Sequence, residues 1–189
     1  MDYTYEYFCK SAEYVREKIG FTPEIGIVLG SALGPFAQHV EDPVVIPYEE
    51  IPNFLRSTVA THAGKLICGT IAGKKVVCMS GRFHSYEGYD FDQLTAPVRL
   101  FKLLGCRAVI LTNAAGGVNL DFSQGCLMII SDFINMTGKN PLTGPNLSEF
   151  GVRFPDMTHA YDVELIKLCE QQAARLNVPV QKGVYMWMN

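Results

Sequence analysis

The chain has 189 residues, of which 48% are hydrophobic and 19% charged, and 16 Lys+Arg against 19 Asp+Glu leave a formal net charge of −3. That composition is globular rather than disordered, and the length suffices for a sizeable core. The slight negative balance excludes the basic footprint of a nucleic-acid or anionic-membrane binder, and no apolar run approaches the roughly 20 residues that span a bilayer.

The start, Met1-Asp2-Tyr3-Thr4, has neither the basic nor the apolar region of a secretion signal. Apolar residues at Tyr5, Phe8, Ala12, Val15 and Ile19 recur at intervals of three and four, which predicts an amphipathic helix stopped by Gly20. Residues 25–29 form a nearly continuous apolar run ending at Gly30, the pattern of a buried parallel strand. Gly30-Ser31-Ala32-Leu33-Gly34 then leads into a short helix. Residues 66–71 and 75–79 read as two strands of a hairpin. Residues 91–104 turn helical, with Leu94, Val98, Phe101 and Leu104 apolar, Gly105 as the stop, and Pro97 predicted to kink or restart the helix. Residues 108–112 are a further buried-strand run, closing in Asn113-Ala114-Ala115-Gly116-Gly117, and 126–130 another strand. Residues 135–154 are rich in Gly, Pro, Asn and Thr, a loop of a length that is usually functional or disordered. A helix over 162–176 and a strand over 180–188 follow. Strands alternating with helices predict an α/β fold, one domain over residues 1–189 with a central mixed β-sheet flanked by helices. The cysteines (Cys9, Cys68, Cys78, Cys106, Cys126, Cys169) never form a C-x-x-C pair, the usage of reduced, mostly buried thiols in a cytoplasmic protein.

Three strands finish in small or polar residues, where open α/β sheets place ligands. The glycines of Gly30-Ser31-Ala32-Leu33-Gly34 allow close backbone approach to an anion, although the segment is neither a dinucleotide fingerprint nor a P-loop and equally suits a structural turn. In Gly81-Arg82-Phe83-His84-Ser85-Tyr86-Glu87-Gly88, an extended chain would point Arg82, His84 and Tyr86 to one face. A guanidinium, an imidazole and a phenol together suit an oxyanion and a hydroxylated ligand; an edge strand with solvated polar residues is the other reading. Asn113-Ala114-Ala115-Gly116-Gly117 lets a ligand lie against the backbone, or is a plain tight turn. No G-x-S-x-G elbow supports a serine nucleophile, and His39, His62, His84 and His159 lack the spacing of a zinc site.

Taken in order, Leu29-Gly30-Ser31-Ala32-Leu33-Gly34, Ile51-Pro52-Asn53-Phe54, Thr61-His62-Ala63-Gly64-Lys65, the Gly81 to Tyr89 stretch, Thr112-Asn113-Ala114-Ala115-Gly116-Gly117 and Asn140-Pro141-Leu142-Thr143-Gly144-Pro145-Asn146 resemble the trimeric class of purine nucleoside phosphorylases. The resemblance runs from Tyr3 to the last residue. It implies phosphorolysis of a purine (deoxy)ribonucleoside to free base and pentose 1-phosphate, with inorganic phosphate as co-substrate and no metal or organic cofactor. By similarity, Ser31, Arg82, His84, Asn113 and Ala114 would hold phosphate, with Arg82 and His84 catalytic. Tyr86, Ala114 and Phe154 would contact nucleoside, Phe154 reaching a neighbouring subunit of a homotrimer. His62 and Glu87 would gate or orient these groups. The chemistry needs positioning and charge stabilisation of an oxocarbenium-like sugar rather than a covalent residue.

Departures from the family pattern are Ala32 and Thr61 where Gly is usual, Ser80 for a frequent Gln, and Cys126 and Phe133 where Asp and His are common. The family continues past a segment like Gly183-Val184-Tyr185-Met186-Trp187-Met188-Asn189 into a Gly-Pro-Ser-Phe/Tyr-Glu motif and the residues that grip the purine. The sequence therefore reads as a domain incomplete at its C-terminus, a fragment with impaired activity. The alternatives are a non-catalytic homologue that binds phosphate or pairs with a full-length subunit, and, further off, a methylthioadenosine phosphorylase, whose Arg-His and Asn-Ala-Ala-Gly-Gly loops differ.

Overall fold

The computed structural model describes residues 3–56 and 64–188. Helix α1 (Tyr5–Ile19) starts where Thr4 is extended and its hydroxyl accepts the Tyr7 amide at 3.2 Å. It stops at Gly20, whose φ of 67° is a left-handed cap that glycine adopts without steric cost. The stripe Phe8, Ala12, Val15 and Ile19 is buried, as the spacing predicts.

Five strands, β1 (Ile25–Val28), β2 (Glu41–Pro47), β3 (Lys65–Ile71), β4 (Lys74–Ser80) and β5 (Ala108–Leu111), form a mixed sheet in the order β2-β3-β4-β1-β5. β2, β3 and β4 pair antiparallel, while β4 and β5 both run parallel to β1. Between the last two come α2 (Phe91–Leu94) and α3 (Ala96–Leu104), with Pro97 in the first turn of α3. The proline restarts the helix rather than kinking it, because its ring is tolerated only where no amide is required. Helices α1 and α3 lie over one face of the sheet, where Val15, Leu66, Val77, Leu100 and Phe101 share a core. Packing is close at Gly26: a Cβ there would lie 2.5 Å from a ring carbon of Phe101, which is fully buried. On the other face Ile27, Val76 and Cys78 pack with Ala37 of a 3₁₀ turn, Gly34–His39.

The chain divides into two compact units, the first reaching Ala114 and including Leu147–Phe150, the second made of Ala115–Asn146 and Gly151 onwards. In the second unit β6 (Leu127–Asn135) and β7 (Val180–Trp187) form a parallel two-stranded sheet. Helix α4 (Val163–Arg175) lies between them in sequence and is capped by the Asp162 carboxylate, which accepts the Glu164 and Leu165 amides at 2.9 Å each.

Three local expectations are corrected. β2 was not anticipated from the sequence; it is an edge strand with a register shift between Glu41 and Val44, and most of its residues are exposed, so it carries no apolar alternation. β6 runs on to Asn135 and so takes in Phe133, whose ring meets Tyr161 edge-on at 6.3 Å. The stretch from Arg82 to Tyr86 is not continuously extended: His84 is (φ −128°, ψ 151°), but Ser85–Glu87 is a 3₁₀ turn.

Candidate active site

Because β4, β1 and β5 are adjacent and parallel, the segments leaving their carboxyl ends emerge along one edge of the sheet, the edge at which open α/β sheets bind ligands. These segments are residues 29–34, 81–88 and 112–114. The first and third touch: the Gly30 amide donates to the Thr112 hydroxyl at 2.7 Å, and a Cβ on Gly30 would lie 2.7 Å from the Thr112 carbonyl oxygen. The second is tied to the third by Arg82, whose guanidinium donates to the same carbonyl at 2.7 Å.

Arg82 also donates through Nε to His84 Nε2 at 3.2 Å. On the far side of the ring, His84 Nδ1 lies 3.0 Å from Glu87 Oε1, and that oxygen also accepts the His84 amide at 2.8 Å. A carboxylate facing Nδ1 places the ring proton there, which leaves the Nε2 lone pair for the Arg82 Nε–H. The Glu87 side chain is 2% exposed, so water does not compete for it. The Tyr86 ring stacks on the His84 ring at 4.7 Å and 15° and is otherwise open to solvent. Beneath this segment the buried Tyr48 hydroxyl donates to the Gly81 carbonyl at 2.6 Å, and the Tyr48, Phe54 and Phe83 rings pack on one another. Burial pushes the Tyr48 phenol well above its usual range, so it stays a neutral donor.

Among the described residues no carboxylate forms an ion pair with Arg82. Its two acceptors are an imidazole nitrogen and a carbonyl, both uncharged, so its positive charge is oriented without being neutralised. A half-buried guanidinium in that state, at a strand-end edge, suits an oxyanion. The second unit offers a contrast. A cleft of about 230 Å³ there includes Ser131, Tyr161, Lys167 and Lys182, but Glu164 and Glu170 hold the two ammonium groups at 2.8 and 3.0 Å.

Of the residues singled out from the sequence, Ser31, Arg82, His84, Tyr86, Glu87, Asn113 and Ala114 all lie on the three linked segments of the first unit. Ser31 is exposed on the turn after β1, next to Ala32 at φ 66°, and Asn113 donates its side-chain amide to the Ala114 carbonyl at 3.2 Å. Arg82, His84 and Tyr86 are brought together by ring stacking and a hydrogen bond rather than by strand alternation. Phe154 belongs to the second unit and is 87% exposed, with the Arg153 guanidinium 5.9 Å from its ring centre. His62 lies outside the described residues. Thr112 was missed as a structural centre of the site. The available signal was a hydroxyl residue closing an apolar run directly before Asn113-Ala114-Ala115-Gly116-Gly117; that run, read from the sequence as a buried strand, is β5, whose Val109, Ile110 and Leu111 are exposed.

Residues 24–189 match the family model described as the phosphorylase superfamily. The chain is 53% identical over 176 residues to purine nucleoside phosphorylase 1 of Bacillus subtilis, covering 93% of this chain and 65% of that protein. It is 44% identical over 167 residues to the purine nucleoside phosphorylase of Mus musculus, covering 87% and 58%. Among solved structures, isoform 2 of the Schistosoma mansoni purine nucleoside phosphorylase with cytosine and ribose-1-phosphate superposes with a TM-score of 0.92 at 42% identity, over 97% of this chain and 66% of that one. A second Schistosoma mansoni purine nucleoside phosphorylase, solved with acetate, gives 0.91 at 44% identity, over 97% and 69%. The chain thus spans 65% of the length of its Bacillus relative.

Proposed function

The chain belongs to the phosphorylase superfamily and, within it, to the purine nucleoside phosphorylases, and from that premise we propose that it carries the phosphate half of a site for phosphorolysis of purine (deoxy)ribonucleosides. Inorganic phosphate attacks C1′, the base departs, and pentose 1-phosphate forms. Arg82, His84 and Ser31, with the Asn113-Ala114 segment, hold the phosphate; Tyr86 and Ala114 contact the nucleoside, and Phe154 reaches the nucleoside of a neighbouring subunit. Glu87 orients His84, and His62 gates the site. The observation that carries this reading is the Arg82 guanidinium, fixed by two uncharged acceptors at the carboxyl ends of β4, β1 and β5.

Phosphate is already an anionic nucleophile, so the protein supplies proximity and charge stabilisation rather than a covalent intermediate, and no cofactor enters the scheme. Relatives solved with ribose-1-phosphate and with inosine support nucleoside and phosphate as ligands. We further propose that residues 1–189 form one nucleoside phosphorylase domain, working in the cytoplasm as a homotrimer in purine salvage.

The coverage of 65% of the Bacillus relative favours a chain that binds phosphate and turns over little nucleoside by itself. The remaining length of the relatives would supply the purine contacts. Exposed apolar side chains on β6 and β7, such as Leu127, Val184 and Met186, fit a surface that further chain would cover. Inosine phosphorolysis coupled to xanthine oxidase tests this: the 189-residue chain should give little or no rate. Turnover comparable to the Bacillus enzyme would refute the need for the further length. A phosphate titration followed by ³¹P NMR should show binding that Arg82→Ala abolishes.

A further inference from the structure

Phosphate ligands on three separate segments are useful only if the segments hold a fixed spacing, and one residue, through its hydroxyl and its main-chain carbonyl, ties all three together. The Thr112 hydroxyl accepts the Gly30 amide at 2.7 Å and donates its own proton to the Val28 carbonyl at 2.8 Å. The Thr112 amide donates to that same carbonyl at 3.1 Å. The Thr112 carbonyl accepts Arg82 Nη1 at 2.7 Å. The Gly30-Ser31 turn after β1 and the Arg82 guanidinium after β4 are therefore both measured against one residue at the end of β5.

We propose that Thr112 is a positioning residue for the phosphate subsite, setting the distance between the Ser31 turn and the Arg82 guanidinium. This rests on the reading of Ser31 and Arg82 as phosphate ligands. Three features make the arrangement specific. A hydroxyl can accept from Gly30 and donate to Val28 at once, and with both bonds made its rotor is fixed. The Thr112 carbonyl directs Arg82 without cancelling its charge, as a carboxylate in that place would. The glycine at position 30 lets the turn press against Thr112, since any Cβ would meet the carbonyl oxygen at 2.7 Å and the Asn113 Cα at 2.9 Å. A small displacement at such a joint is passed to both ligands, because misplacement of a binding group costs affinity steeply.

The test is isothermal titration of the 189-residue chain with inorganic phosphate, with circular dichroism recorded for each variant. Thr112→Val keeps the shape and removes the hydroxyl, leaving the Gly30 amide and Val28 carbonyl without it; affinity should fall about tenfold or more. Thr112→Ser restores the hydroxyl and should bind within about twofold of the unaltered chain, a rescue that loss of packing alone would not give. Gly30→Ala drives the turn off Thr112 by a different route and should weaken phosphate as Thr112→Val does. Folded Thr112→Val or Gly30→Ala protein that binds phosphate like the unaltered chain overturns the positioning role and leaves the phosphate reading standing. Should Thr112→Val fail to fold, Thr112→Ser binding as weakly as Arg82→Ala overturns the role of the hydroxyl. Absence of binding by the unaltered chain overturns both.

Discussion

Replacing Glu87 by alanine removes the acceptor that holds His84 from behind, and the cost follows from the contacts. One oxygen takes the His84 amide at 2.8 Å and Nδ1 at 3.0 Å, and the side chain is 2% exposed. Hydrogen bonds to a charged group contribute roughly 1.5–3 kcal/mol each, and the methyl of alanine removes this acceptor from both His84 donors. Some relaxation of a three-residue turn is available, which brings the expected loss to about 3 kcal/mol. At roughly 2–4 °C per kcal/mol for a chain of this size, the melting temperature should fall by about 10 °C. Phosphate affinity should fall several-fold as well, because a loose imidazole no longer presents Nε2 to Arg82. Glu87→Gln is the informative partner. Its amide oxygen can occupy the place of Oε1 and accept both bonds, so about 1 kcal/mol or less should be lost. Thermal unfolding by circular dichroism, paired with the phosphate titration, reads both effects. A Glu87→Ala melting temperature within about 2 °C of the unaltered chain would refute the hydrogen-bond account. Equal damage from Gln and Ala would show that charge, not acceptor geometry, holds His84.

Ala32 sits at φ 66°, where an L side chain costs roughly 1–2 kcal/mol and glycine does not. Ala32→Gly should therefore stabilise the chain by about 0.5 kcal/mol in urea unfolding after the glycine's extra unfolded-state entropy is subtracted; a clear loss would contradict the strain. The Arg99 guanidinium lies 4.8 Å from the Phe8 ring centre and 5.7 Å from that of Phe150. Arg99→Ala should release the 147–150 segment, so limited trypsin digestion after Arg153 should speed up several-fold; an unchanged rate would remove the anchoring role. Burial pushes the Cys68 thiol up to about 12 and Cys78 to about 11. The folded chain then holds protons that the unfolded chain releases above about pH 9, so stability should fall as pH rises from 9. At pH 8 a thiol reagent should label exposed Cys169 and spare Cys68 and Cys78; early labelling of the buried pair would contradict their burial.

The elements that could be read from the sequence are those whose pattern is their own. α1 carries its apolar stripe, its Thr4 cap and its Gly20 stop within a few residues of one another, and the break before α3 follows from one proline. β2 could not be read in that way. Only Ile46 of that strand is buried among Val44, Val45 and Ile46, and the strand exists because β3 offers it hydrogen bonds across a bulge. For Arg82, His84 and Tyr86 the grouping is right although the geometry behind it is not. Strand alternation would have aligned them; instead a 3₁₀ turn folds Tyr86 back over His84. The turn had a local mark in the spacing of His84 and Glu87: the Glu87 carboxylate accepts the His84 amide three residues back, the carboxylate half of a capping box, while the Glu87 amide donates to the His84 carbonyl.

Residue types disclose a chemistry well before they disclose a geometry. An arginine, a histidine and glycine-rich strand ends announce an anion, but Glu87 stands five residues from Arg82 and three from His84, and the sequence is silent on which it serves. The two outcomes differ in function. Paired with Arg82, the carboxylate would cancel the charge that an incoming phosphate needs; paired with His84, it fixes an imidazole and leaves the guanidinium to uncharged partners. The fold selects the second, since the turn at Ser85–Glu87 directs the carboxylate at Nδ1 while Thr112, remote in sequence, supplies Arg82 with a carbonyl. That assignment depends on β5 lying beside β1 and parallel to it, a fact of topology that no local pattern around Arg82 contains. An anion site in such a sheet is therefore specified twice, locally by which side chains are present and globally by which strand end supplies the neutral acceptor. Disturbing the seat of that carbonyl, as Thr112→Val and Gly30→Ala do, should weaken phosphate binding without touching one charged residue.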